Sequence, residues 1–152
     1  MLFNDAQQHA LARCVRIMAG GMADYQDSET LAGLENMAAM DRYCYFVAGV
    51  VGEMLTEVFC DYSPEIAARR EQMMRLAVSF GQGLQMTNIL KDIWDDRARG
   101  ACWLPQEVFA RYGCDLESLQ VGQQAPGFTE GLGELIDIAR AHLDNAPPCD
   151  PG

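Results

Sequence analysis

Histidine is nearly absent from this chain: His9 and His142 stand far apart, and the six cysteines form no C-x-x-C pair. The first scarcity argues against a histidine-based site, and the second against zinc or a disulfide framework. Cys14, Cys44, Cys60, Cys102, Cys114 and Cys149 read instead as reduced thiols, several at apolar helical positions. Basic residues are also scarce, 11 Lys and Arg against 22 Asp and Glu, a formal charge of −11. That balance opposes nucleic acid, whose phosphates need a basic face, and disfavours electrostatic docking on anionic membranes. No uninterrupted apolar run approaches the roughly 18 residues of a spanning helix, and residues 1–21 lack a secretory h-region. No transmembrane segment is expected, peripheral membrane contact stays open, and the default compartment is the cytoplasm.

What the chain does have is helical periodicity. Its 152 residues are 49% apolar, enough to bury one core as a single domain. Residues 6–22 place Leu11, Cys14, Val15, Met18 and Met22 at helical spacing. A long pattern over 30–60 carries Leu34, Met37, Cys44, Val47, Val51, Met54 and Val58, with Tyr43 in its middle. Ser63-Pro64-Glu65 is a start signal for a helix reaching Arg97, because it offers a cap, a proline at the first position and an acid in the first turn. Residues 104–112 and 129–145 read as further helices, the last with Thr129 as N-cap, and 146–152 as a disordered tail. Asp24 and Asp27 sit in a loop-like stretch and read as helix initiators, while Glu53 and Glu57 read as a solvated pair. The fold class is all-α.

Gln85, Asn88, Asp92 and Asp96 are spaced by three, four and four, which lines one narrow stripe of a single helix. Other faces carry Phe80, Leu84, Met86, Ile89, Leu90, Ile93 and Trp94, so the stripe faces an interior cavity. Two carboxylates one turn apart, with Cβ atoms roughly 5–6 Å apart, repel unless a cation or a proton intervenes. Lys91 lies off the stripe and cannot serve both. A hard divalent cation fits, and Mg²⁺ commonly completes its shell with water and substrate phosphate oxygens. Arg97 and Arg99 follow directly, within reach of phosphate. A solvated acidic face and arginines that offset a helix dipole are the plainer meanings of the same residues.

The segment LQMTNILKDIWDD followed by WLP resembles the second aspartate-rich motif of the squalene and phytoene synthase family. YCYFVAGVVG, Tyr43 to Gly52, resembles that family's tyrosine motif, and the similarity runs from about Cys14 to about Asn145. The resemblance implies a class I isoprenoid-synthase-type helical bundle that joins two prenyl diphosphates, farnesyl or geranylgeranyl, head to head with Mg²⁺. It makes Asp92 and Asp96 metal-holding carboxylates, with Gln85 and Asn88 as polar support and Arg97 and Arg99 as diphosphate contacts. Tyr43 becomes the tyrosine near the reacting carbons, and Val47, Ala48, Gly49, Val51 and Gly52 the small residues beside the prenyl channel. Such walls must be apolar and exclude water.

Departures from the family pattern are as informative. The first aspartate-rich motif is missing, since Asp5 is the only carboxylate in residues 1–21. The chain is therefore expected to be a partial, truncated domain, catalytically incomplete unless partner helices or self-association supply the rest. Ala101 and Trp103 stand where relatives often have arginine and a tyrosine or phenylalanine, which puts NADPH use in doubt. The alternatives are a noncatalytic helical subunit, an isoprenoid-binding remnant, or another class I terpenoid synthase, the last opposed by the tyrosine motif.

Overall fold

The computed structural model describes residues 3–26, 30–123 and 125–145. Cys149 and the tail 146–152 lie outside the described residues, as does Asp27. The chain runs as α1 (Asp5–Gln26), α2 (Met37–Cys44), a π-helical turn (Tyr45–Gly49), α3 (Val50–Tyr62), α4 (Pro64–Ala67), α5 (Arg70–Lys91), α6 (Ile93–Ala98), α7 (Gln106–Arg111) and α8 (Phe128–Asp144). No extended strand occurs among the described residues; a lone parallel bridge joins Leu34 to Pro105.

Several helix ends follow from side-chain chemistry. Asn36 caps α2 by accepting from the Ala39 amide, so the pattern expected from residue 30 begins as helix only at Met37. Ser63 caps α4 through the Ile66 amide, as the Ser-Pro-Glu signal predicts. The helix expected to run from there to Arg97 is interrupted twice, near Ala68–Arg69 and at Asp92. Thr129 is not the cap of α8. Gly127 takes that place with φ 75°, where any Cβ would lie 2.0 Å from the Tyr112 carbonyl oxygen. Asp24 lies inside α1 rather than starting a helix.

The middle layer is α3 against α5, closed by α1 on one side and α8 on the other. Close approach depends on glycine. A Cβ on Gly52 would sit 2.5 Å from the Ala77 carbonyl oxygen, and one on Gly81 would sit 2.8 Å from that of Ala48. These two contacts give an antiparallel register, 52 beside 77 and 48 beside 81. The π turn closes with the Val50 amide bonding the Tyr45 carbonyl. Steps of four residues drift by about 40° in an α-helix, and the wider turn takes up part of that drift. Val47, Ala48, Val51 and Gly52 thus stay on the side facing α5.

The core gathers Met40, Cys44, Met86, Leu104, Val108, Phe109 and Leu135, all essentially inaccessible. Cys14, Cys44, Cys102 and Cys114 are buried free thiols. One expectation fails here. Glu53 and Glu57 are not a solvated pair: Glu53 meets Arg13 at 2.8 Å and accepts from the Tyr45 hydroxyl, and Glu57 meets Arg70 at 3.2 Å. Counting unbroken apolar runs passes over Met37–Tyr62, 26 residues long and apolar enough to cross a membrane by length and composition. Its interior carboxylates interrupt the run without abolishing the mean hydropathy. Here the stretch packs against α1 and α5, and an apolar core helix passes the same test.

Candidate active site

An open apolar groove of about 340 Å³ runs between α3 and α5, lined by residues that include Val47, Ala48, Val51, Gly52, Leu55 and Leu84. Leu55, Phe59, Phe80 and Leu84 are each 43–48% exposed along it. Leu84, which lines the groove, precedes Asn88 and Asp92 at steps of four, so it lies at the edge of the polar stripe and not on a separate face; Asn88 and Asp92 are outside the groove lining. The antiparallel register brings Tyr43, one turn before Val47, to the same end. Gly49 is buried at the α5 contact, outside the groove lining, with its Cα close to Gly81.

Asp92 sits in the break itself, at φ −101° and ψ 14°, and serves as both the end of α5 and the start of α6. The stripe is therefore not on a single helix. The register survives nonetheless, since the Asp92 amide bonds the Asn88 carbonyl and the Asp96 amide bonds the Asp92 carbonyl, both at 2.9 Å. Gln85 and Asn88 are half-buried beside them. Each carboxylate has its own side-chain cation: Lys91 lies 3.5 Å from Asp92, and Arg99 pairs with Asp96. Repulsion along the stripe is thus already relieved by two local cations, one per carboxylate.

Asp96 is the more enclosed of the two, its side chain 14% exposed against 39% for Asp92. It shares a small crevice with Ile93 and Trp103. Trp103 stacks on Tyr43 with ring centroids 4.3 Å apart and planes 10° from parallel, and Tyr25 meets Tyr43 edge-on at 5.2 Å. Burial, and then the nearby Asp96 carboxylate, push the Tyr43 hydroxyl up to about 12. Tyr43, Trp103, Asp96 and Arg99 therefore form one neighbourhood. Tyr25 and the stacking role of Trp103 were not singled out from the sequence, although a tryptophan four residues after Arg99 was a visible departure.

Arg97 is not placed to meet a phosphate. Its four terminal N–H groups point into the protein and are met by the carbonyl oxygens of Leu31, Leu116, Glu117 and Leu119 at 2.7–3.3 Å. A guanidinium held by four main-chain acceptors is not available to a phosphate. Arg99, with its side chain 71% exposed, remains so. The carboxylates of Asp92 and Asp96 offer oxygen donors, which suit a hard cation that completes its shell with water and phosphate, although each is already paired with a side-chain cation. No cluster of three or more His, Cys, Asp or Glu suited to a metal occurs among the described residues, so the protein here could supply only part of such a shell.

A model of the squalene/phytoene synthase family matches residues 3–149. The chain is 32% identical over 140 residues to squalene synthase of Eremothecium gossypii, spanning 91% of this chain and 32% of that one. It is 36% identical over 104 residues to phytoene synthase of Thermus thermophilus, spanning 68% of this chain and 33% of that one. Its fold is similar to the crystal structure of squalene synthase HpnC from Alicyclobacillus acidocaldarius, with TM-score 0.71, 20% identity, and coverage of 88% of this chain and 47% of that one. The chain thus spans about a third of the length of the curated relatives it matches. By sequence and by fold, it belongs to the squalene/phytoene synthase family.

Proposed function

We propose that this chain contributes one diphosphate half-site and part of the prenyl channel to a transferase that joins two prenyl diphosphates head to head. What supports this reading is spacing beside the groove: Leu84 lines it, and Asn88 and Asp92 follow at steps of four, Asp92 just past the end of α5. An amphipathic substrate of long apolar tail and diphosphate head needs that juxtaposition. Asp92 and Asp96 would hold Mg²⁺, directly or through water, because carboxylate oxygens suit that ion. When bound, the ion supplies charge neutralisation for the departing diphosphate.

The chain's own residues do the rest. Arg99, already paired with Asp96, is exposed enough to share its guanidinium with a phosphate oxygen. A hydroxyl raised to about 12 stays protonated at neutral pH, so Tyr43 acts as a hydrogen-bond donor and not as a base. The apolar walls at Val47, Ala48 and Val51 present no nucleophile to an allylic cation.

Placing glutamine at both Leu55 and Leu84 tests the channel separately from the head-group site. Affinity for a nonhydrolysable farnesyl diphosphate analogue should fall about tenfold, the loss expected for about 1.4 kcal/mol of apolar contact. Affinity for inorganic pyrophosphate should stay within twofold. An unchanged preference for the prenylated ligand would remove the groove from the proposal.

A further inference from the structure

α6 has only six residues, too few for a helix to hold itself in place, yet it carries Asp96. Its attachments therefore decide where that carboxylate stands. The main chain supplies one, through the Asp96 amide on the Asp92 carbonyl. The other is Arg97. One guanidinium nitrogen donates to the carbonyls of Leu31 and Leu116, and the other to those of Glu117 and Leu119. The two tethered segments come from opposite sides of α6 in sequence. Residues 31–36 are further sewn to the start of α7, with the Leu34 amide on the Leu104 carbonyl and the Gln106 amide on the Leu34 carbonyl. The same guanidinium opposes the rise that burial imposes on the Cys102 thiol, which sets it against the stretch carrying Trp103.

From this geometry we propose that Arg97 is a positioning residue: its four-carbonyl clamp fixes α6, and with it the Asp92–Asp96 pair, against two connecting loops. Arg99, two residues on, answers to Asp96 and to solvent. The two arginines therefore divide the work, Arg97 anchoring the carboxylates and Arg99 compensating the charge of Asp96. The proposal deepens the half-site reading and rests on it for its consequence in binding, though not for the coupling itself.

Hydrogen exchange followed by mass spectrometry on the full chain, as wild type and as Arg97→Gln, tests the clamp without any ligand. Exchange should quicken about tenfold over residues 92–100 together with 116–119, while α1 and α8 stay unchanged. Faster exchange confined to 116–119, or a uniform rise across the chain, would overturn the proposal. If Arg97→Gln does not fold, Arg97→Lys keeps the charge but cannot reach four carbonyls, and the same regional pattern decides. Titration with inorganic pyrophosphate in the presence of Mg²⁺ then separates the two readings. A tenfold loss in the Arg97 variant supports positioning, and affinity equal to wild type contradicts it. A wild-type chain that binds no pyrophosphate removes the half-site reading, and the exchange pattern still decides whether Arg97 anchors α6.

Discussion

Trp103 lies flat on Tyr43, 4.3 Å between ring centroids, and so joins the loop after α6 to the end of α2. The stack fastens Tyr43 to Trp103, sixty residues away, which itself lines the crevice beside Asp96. Aromatic pairs of this kind add about 0.5–1.5 kcal/mol beyond their buried area. Trp103→Leu should destabilise the fold by about 2–3 kcal/mol in urea titration, while Trp103→Tyr, which keeps a ring on Tyr43, should cost less than about 1.5 kcal/mol.

Tyr43 also predicts an alkaline limit. With its hydroxyl at 10.0 in the unfolded chain and about 12 in the fold, the protonated form is favoured by folding. Stability is therefore complete below pH 10 and lost as pH climbs through about 12, by at most about 3 kcal/mol. Urea midpoints measured from pH 8 to 11.5 should fall less steeply in Tyr43→Phe than in the original. Tyr45 and Tyr112 are raised as well, so the difference between the two proteins is the informative quantity.

Much of this arrangement was legible in the sequence. The periodicity of residues 30–60 and the Ser-Pro-Glu signal identify helices because an apolar stripe and a cap are local properties. The three-four-four spacing of Gln85, Asn88, Asp92 and Asp96 likewise survives, since main-chain bonds preserve the register. The break at Asp92 was not legible. Neither was the fate of Arg97, because its acceptors are carbonyls in loops 19–66 residues away. Glu53 and Glu57 misled for the same reason: their partners, Arg13 and Arg70, lie on other helices.

Twin glycines in α1 should respond oppositely. A Cβ at Gly20 meets nothing within 4 Å, whereas one at Gly21 would lie 2.2 Å from the Phe46 ring. Gly20→Ala should raise stability by about 0.5–1 kcal/mol through helix propensity alone. Gly21→Ala should lower it by about 1–3 kcal/mol, because the α1 crossing over the π turn is overpacked. Thermal melts of both variants decide.

Arg99 should separate binding from stability. Its pair with Asp96 is exposed on the arginine side, so Arg99→Gln should shift the urea midpoint by less than the equivalent of about 1 kcal/mol. Titration with pyrophosphate and Mg²⁺ should nevertheless show an affinity about tenfold weaker. Equal affinities would remove Arg99 from the diphosphate contacts.

All of the proposed binding depends on Asp92 and Asp96 forming a metal-dependent diphosphate half-site. Calorimetric titration with a nonhydrolysable farnesyl diphosphate analogue, with and without Mg²⁺, tests it most directly in the original chain and in the variant carrying both Asp92→Asn and Asp96→Asn. Mg²⁺-dependent binding to the original chain is expected, and its loss in the double variant, with helical content unchanged. Equal binding by both folded proteins, or binding indifferent to Mg²⁺, would contradict it.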